Sequence, residues 1–153
     1  MLKGQLITSD LVMAVFILIV MIPLIVLSFE SSIDAAAENA KENDMNTAAV
    51  KISDLLVRTG GYPSNWENDI NSTIVMGLAS QDKTLDASKL YAFLNADYGK
   101  TKEIMNIRGY DYYFTLVNNG SAKGLLVDGE KAAFIRRIVS FNGAETLEFT
   151  LWK

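Results

Sequence analysis

An unbroken apolar run at residues 11–29 constrains the fold of this chain more than any other feature. Its 19 residues lie between Asp10 and Glu30 without a charge or a glycine, and Ser28 is the one polar side chain among them. A helix needs about 20 mostly apolar residues to cross a bilayer core, because each residue adds about 1.5 Å. Large apolar side chains fall on every side of such a helix, which is typical of burial in lipid or in a protein core. A chain of 153 residues has no core large enough to hide it, so we predict a membrane-spanning helix.

The flanks of this run predict its orientation. Lys3 and the amino terminus precede it, whereas five carboxylates and one lysine follow it before residue 45. Positive charge tends to stay in the cytoplasm, which predicts a cytoplasmic N-terminus and a single-pass anchor with the remainder outside. A cleaved secretory signal fits less well, since the segment before the run has about four residues and the run exceeds the usual apolar core of about 7–15.

Pro23 lies inside the run. It removes one backbone hydrogen bond and crowds the preceding turn, so a kink is predicted there. Two interpretations stay open. The proline is either one that a membrane helix tolerates, or a flexible point needed for helix packing in a polymer.

The helical pattern continues beyond the apolar run. Residues 30–58 contain no proline and no glycine and are rich in good helix formers. Their apolar residues recur at gaps of three and four, which indicates an amphipathic helix: Ile33, Ala36, Ala37, Ala40, Met45, Ala48, Ala49, Ile52, Leu55 and Leu56. Gly60, Gly61 and Pro63 then predict a stop. We expect one helix over about residues 7–58, with its second half packed on a sheet.

The rest of the chain predicts a small head. Asp86 is a candidate N-cap for a short helix, and residues 98–107 suggest a second one. Strands are predicted at residues 73–78, 112–117, 123–127, 133–141 and 146–152 from β-branched, aromatic or alternating patterns. Turns are predicted at Asn118-Asn119-Gly120, Asp128-Gly129 and Asn142-Gly143. The predicted fold class is α+β, with a long N-terminal helix on a three- to five-stranded antiparallel sheet.

Composition excludes several functions. The chain has no cysteine and no histidine, which removes disulfides, thiolate chemistry, the usual zinc sites and an imidazole base. Its net charge is −4 without a basic cluster, so we expect no nucleic-acid partner. No catalytic constellation, phosphate loop or calcium loop is recognisable. We therefore expect no enzyme, no catalytic residue, no metal and no cofactor.

The N-terminal sequence carries a family resemblance. Lys3-Gly4-Gln5, then Ser9-Asp10, then the apolar run resemble the class III signal peptide of archaeal type IV pilins. Segments of the body also resemble uncharacterised archaeal pilin-like proteins, so that the resemblance covers most of the chain. These segments are residues 61–66, 77–79, 89–90, 136–139, 142–143 and 151–152.

The resemblance implies a subunit of a filament or pseudopilus, in our interpretation a minor one. A prepilin peptidase would cut between Gly4 and Gln5, and other pilin-like subunits would bind through the N-terminal helix once it leaves the lipid. In pilins an acidic residue near mature position five pairs with the N-terminal amine of a neighbour, and Asp10, here the sixth mature residue, is the candidate. Equally, Asp10 could simply favour the start of the helix through the helix dipole. The implied domains are a leader at residues 1–4, an assembly helix at 5–29, its continuation at 30–59 and a head at 60–153.

Other features carry weaker hypotheses. Asn71 and Asn119 match the N-glycosylation acceptor pattern, although Asn119 equally suits a turn. Arg136 and Arg137 could form a binding patch, but we favour one solvated side chain and one cross-strand pair with a carboxylate such as Glu145 or Glu148. Trp66 and Trp152 are predicted to close the domain. The alternative to a filament subunit is an uncleaved, membrane-tethered domain that binds a partner.

Overall fold

The computed structural model describes residues 2–129 and 131–153, with side chains from residue 11 onward. The chain divides into two compact units, Met1–Lys41 and Glu42–Lys153. One helix, α1 at Leu2–Arg58, runs through both. It begins earlier than the predicted residue 7 and ends at the predicted residue, before Gly61 with its φ of 81° and before Pro63. The backbone stays helical through Pro23.

The first unit, from residue 11, is helix alone, and each of its side chains is exposed. In the second unit the remainder of α1 buries one side. Its buried side chains follow helical spacing and are Met45, Ala49, Ile52, Ser53, Leu56 and Val57. The apolar ones share a single hydrophobic cluster with Leu147, Phe149 and Leu151 of the sheet. The predicted α+β class, a long helix packed on a sheet as in pilin-like folds, is therefore confirmed.

A six-stranded sheet forms the head, in the order β1-β2-β5-β6-β3-β4. The strands are β1 (Ala79–Gln81), β2 (Thr84–Leu85), β3 (Asp111–Leu116), β4 (Ala122–Gly124), β5 (Ala132–Ser140) and β6 (Ala144–Trp152). All pairings are antiparallel except that of β2 with β5, which is parallel. Two helices, α2 (Ala87–Asn95) and α3 (Tyr98–Ile104), and two 3₁₀ turns, Trp66–Asn68 and Ile70–Ser72, complete the head.

Several predicted elements are correct. The Asp86 carboxylate accepts hydrogen bonds from the backbone N–H groups of Ser88 at 2.8 Å and Lys89 at 3.1 Å, which caps α2. The β3–β4 and β5–β6 turns fall where the asparagine–glycine pairs predict them. Gly120, Asn142 and Gly143 supply the positive φ angles that these turns need.

The predicted strand at residues 73–78 is wrong. Only an isolated bridge between Tyr62 and Val75 lies there. The segment instead packs on the end of α1, because Leu78 N–H donates to the Leu56 carbonyl at 2.9 Å. Gly77 permits this approach, since a Cβ at that position would lie 2.2 Å from the Thr59 carbonyl oxygen.

The number of strands and the ends of two elements also differ from the prediction. The sheet has six strands rather than three to five, because the two-residue strand β2 and its partner β1 leave no clear sequence pattern. Strand β4 ends at Gly124 rather than residue 127. Gly124 has a φ of 112°, and a Cβ there would lie 2.1 Å from the Tyr112 carbonyl oxygen, so the strand turns away at this point. Helix α3 ends at Ile104, three residues early, although Ile107 is buried.

Candidate functional site

The apolar part of α1 is the first candidate site. Within residues 11–29, the exposed fraction of the large apolar side chains ranges from 46% at Val20 to 66% at Val12. Its most apolar window has a mean hydropathy of 3.1, and none of that window is buried. Among the described residues this is the one helix that is long and apolar enough to cross a membrane. So much apolar surface is unfavourable in water, at about 25 cal/mol per Å², and this segment is a candidate membrane span by its length and composition.

The predicted processing and pairing residues precede this surface. Gly4, Gln5 and Asp10 lie in the helical backbone of α1, but their side chains lie outside the described residues. The cleavage site and the pairing role of Asp10 therefore stay predictions.

Both asparagines of the acceptor pattern lie on the head surface. Asn71 is exposed in the second 3₁₀ turn, and Asn119 is exposed in the β3–β4 turn. The side-chain oxygen of Asn119 accepts a hydrogen bond from the Ser121 hydroxyl, the third residue of its own pattern. Exposure meets the first requirement of modification at both positions, which stay predictions.

Glu145, one of the two carboxylates named as a partner for an arginine, instead stabilises the β3–β4 turn. Its two carboxylate oxygens accept hydrogen bonds at 2.8 Å from the backbone N–H groups of Asn118 and Asn119. A third comes from the N–H of Thr146 at 2.7 Å. Desolvation raises the pKa of Glu145, but these three donors outweigh it and the net pKa is lowered.

This arrangement predicts a loss of stability in acid. A carboxylate whose pKa is lower in the folded chain stabilises the fold above its unfolded pKa, and that contribution is lost as the pH falls through the folded pKa. We expect the urea midpoint of the chain to decrease as the pH falls below about 4.5. Glu145→Gln should lower the midpoint at pH 7 and should flatten this pH dependence.

Asp111 also has a lowered pKa, so its contribution must be separated from that of Glu145. Lys102 Nζ lies 2.6 Å from the Asp111 carboxylate, and the Tyr98 hydroxyl donates to that carboxylate at 2.8 Å. Together they lower the Asp111 pKa. Asp111→Asn provides the comparison. If Glu145→Gln leaves the acid sensitivity unchanged while Asp111→Asn removes it, Glu145 is not the responsible group.

A buried tyrosine network supports α3 on the sheet. Tyr112 is fully buried, and its hydroxyl lies 2.6 Å from the Thr101 hydroxyl. Its ring stacks on Tyr98, with 4.9 Å between the ring centroids. Burial raises the pKa of Tyr98 to about 12. The network therefore stays neutral and serves the packing of the head.

Both arginines of β5 are paired, whereas one was expected to be solvated. Arg136 Nε lies 2.6 Å from the Glu148 carboxylate directly across the strand pair. Arg137 contacts Asp54 on α1 at 3.1 Å. The cross-strand pair with Glu148 is confirmed, and the pair with the helix was missed because sequence spacing does not reveal it.

These arginines belong to a cationic cleft in the head. Its volume is about 380 Å³, and it is lined by Asp54, Val57, Arg58, Lys83, Arg136, Arg137 and Ile138. The end of α1, the β1–β2 turn and β5 each contribute to it. Four cations and a single carboxylate line this cleft, which is the second candidate site. Arg136 and Arg137 are adjacent in the sequence and were considered as a binding patch, but spacing along the chain does not reveal that they meet Arg58 and Lys83.

Comparison with known proteins gives no match for this chain. No family model matches the chain, and neither the curated proteins nor the solved structures give a match. A function for this chain therefore has to be inferred from the geometry of the described residues and from the resemblance of the N-terminal segment.

Proposed function

We propose that this chain is a structural subunit of an archaeal type IV pilus-like filament or pseudopilus, assembled through its hydrophobic N-terminal helix. The observation that carries the proposal is the exposed apolar surface of residues 11–29, on a helix that continues into a folded head. A lone membrane anchor needs such a surface only for lipid. A filament subunit uses it twice, first in lipid and then against identical helices.

The side chains of this segment suit close helix packing. Residues 11–29 contain mainly leucine, isoleucine and valine, with one alanine and no charge. Burial of such side chains contributes roughly 1.5–3 kcal/mol each. Transfer from lipid to a helix bundle gains less, because lipid is already apolar, and association there depends on van der Waals packing. Specific polar contacts must therefore select the register between subunits, which is the role proposed for Asp10.

We propose a topology with the N-terminus in the cytoplasm and the head outside the cell membrane. Lys3 on one side of the run and the carboxylates on the other support it. The absence of cysteine from the sequence makes a direct test simple. A single cysteine introduced at the exposed Ser64 should react with an impermeant maleimide added to intact cells.

Processing by a prepilin peptidase predicts a mature chain that starts at Gln5. Intact-mass measurement of chain purified from its native membrane should show loss of residues 1–4. Gly4→Ile should block this cleavage, because the peptidase of the resembled family cuts after glycine. A parent chain that keeps Met1 would contradict the proposal and would leave the tethered binding domain as the function.

The pairing role of Asp10 predicts an assembly defect. A carboxylate within an apolar environment is unfavourable unless it has a cationic partner, here the amine of a neighbouring subunit. Asp10→Ala should reduce incorporation into filaments without lowering the amount of chain in the membrane. Asp10→Glu should retain incorporation, and Asp44→Ala, which removes an exposed carboxylate elsewhere on α1, should not affect it. Unchanged incorporation of Asp10→Ala would remove the pairing role and leave the helix-start interpretation.

A further inference from the structure

The cationic cleft stands out against the charge of the second unit. Residues 42–153 carry 12 basic and 14 acidic residues, yet the cleft brings together Arg58, Lys83, Arg136 and Arg137 with Asp54 as its one carboxylate. Arg58 and Arg137 share Asp54, at 3.7 Å and 3.1 Å, and Arg136 pairs with Glu148 outside the lining. The four cations thus share two carboxylates, which leaves an excess of two positive charges at the cleft among the described residues.

Lys83 is the cation that lacks a partner. Its side chain makes no ion pair or hydrogen bond within the described part of the chain, whereas its backbone is held on both sides. Its N–H donates to the Val57 carbonyl at 2.8 Å, and its carbonyl accepts from the Ser140 N–H at 2.7 Å. Its φ of 60° lies in the left-handed region, which a lysine seldom adopts. The fold thus fixes the backbone of an unpaired lysine at the cleft.

Arg137 is incompletely satisfied as well. One terminal nitrogen contacts Asp54, but its Nε is buried and has no hydrogen-bond acceptor among the described residues. Buried donors without a partner are uncommon in folded proteins. A small rotation of the guanidinium towards the cleft would let it donate to a ligand without breaking an existing Nε hydrogen bond.

We propose that this cleft binds a tetrahedral oxyanion, a phosphate or sulfate group. Such a group presents several acceptor oxygens, and the planar guanidinium of arginine donates to it through two parallel hydrogen bonds. The ammonium group of Lys83, which also lines the cleft, adds a compact positive charge. Ile138 lines the cleft, and Phe134, two residues before Arg136, is 69% exposed on the same side of β5. These two side chains would contact a polymer to which the anion is esterified.

Binding is tested on the full chain in micelles of an uncharged detergent, so the result does not depend on filament assembly. Sulfate and phosphate are titrated at constant ionic strength, maintained with chloride, and the amide resonances of Lys83 and Arg137 are followed by NMR. We expect saturable shifts. Absence of saturable shifts with both anions would overturn the proposal.

A double variant separates a specific site from general electrostatics. Lys83→Asn with Arg136→Gln removes two cations from the cleft, and asparagine tolerates the left-handed backbone of residue 83. We expect binding to weaken by about tenfold or more, since each charge-assisted contact is lost. Lys51→Gln with Arg108→Gln removes the same charge from exposed positions outside the cleft and should bind like the parent. Equal weakening in both variants would overturn the proposal.

A polymer distinguishes the source of the anion. Dextran sulfate that binds more tightly than sulfate, and loses this advantage in Phe134→Ser, would assign the site to an esterified anion on a polymer. Dextran sulfate that binds no more tightly than sulfate would assign it to the free ion. Uncharged dextran that binds as well as dextran sulfate would contradict an oxyanion site.

Discussion

Two arginines at the centre of the apolar run are expected to abolish membrane insertion. Ile19 and Val20 lie at the middle of residues 11–29, and both are apolar and exposed. An arginine at the centre of a membrane helix costs about 2.5–3.5 kcal/mol on insertion scales. Ile19→Arg with Val20→Arg therefore adds about 6 kcal/mol, which is more than the surrounding apolar residues and Pro23 leave in favour of insertion. The fraction of chain that resists alkaline extraction from membranes should fall close to zero.

The matched control keeps the helix and the apolar character. Arginine and leucine are both good helix formers, so Ile19→Leu with Val20→Leu tests substitution at the same positions without charge. This variant should remain in the membrane fraction like the parent. If the arginine variant stays membrane-integrated, or if the parent chain is soluble and monomeric without detergent, the membrane span and the filament proposal are both contradicted.

Loss of the Trp66 side chain is expected to have the largest effect on the stability of the head. Trp66 is fully buried, and its Nε1–H donates to the carbonyl oxygens of Gly60 at 3.1 Å and Gly77 at 3.0 Å. It thereby joins the segment after α1 to the segment before β1. Trp66→Ala removes this packing and both hydrogen bonds, and should lower the free energy of unfolding by about 3–5 kcal/mol.

Trp152 offers a control for the hydrogen-bond part of this effect. Its Nε1 is buried without an acceptor among the described residues. Trp66→Phe removes the donor that the Gly60 and Gly77 carbonyls share, and should lower the free energy of unfolding by about 1–3 kcal/mol beyond the effect of the change in size. Trp152→Phe loses no hydrogen bond and should cost less. Urea unfolding of each variant, followed by near-UV circular dichroism, measures the difference. Equal stability of Trp66→Phe and the parent would exclude the two hydrogen bonds as a stabilising contribution.

The elements with a long or sharply bounded pattern were predicted well. Helix α1 follows from the apolar run, the helical spacing after it and the stop at Gly60-Gly61-Pro63. Strands β5 and β6 were placed within one or two residues, because strong β-forming residues flank the Asn142-Gly143 turn. In these places local conformational preference and tertiary packing favour the same structure.

The prediction failed where packing overrides local preference. Residues 73–78 have a strand-like composition, but Ile74 and Val75 form backbone hydrogen bonds with Tyr62, and Leu78 bonds to the end of α1. Thr84–Leu85 is too short to leave a periodic pattern, and it is a strand because β1 pairs with it on one side and Ser140 of β5 on the other. Arg137 and Asp54 are 83 positions apart and meet through the packing of β5 against α1. Spacing along a chain carries no information about such pairs.

The amino-acid sequence by itself determined the apolar helix, its end and the α+β character of the head. These properties depend on local conformational preference and on the free energy of transferring side chains out of water. Both are set by the residues of each segment itself. Only the tertiary structure decided the order of the six strands, the three N–H donors around Glu145 and the cationic cleft. Those features depend on contacts between residues far apart in the sequence, and such contacts form only when the whole chain packs.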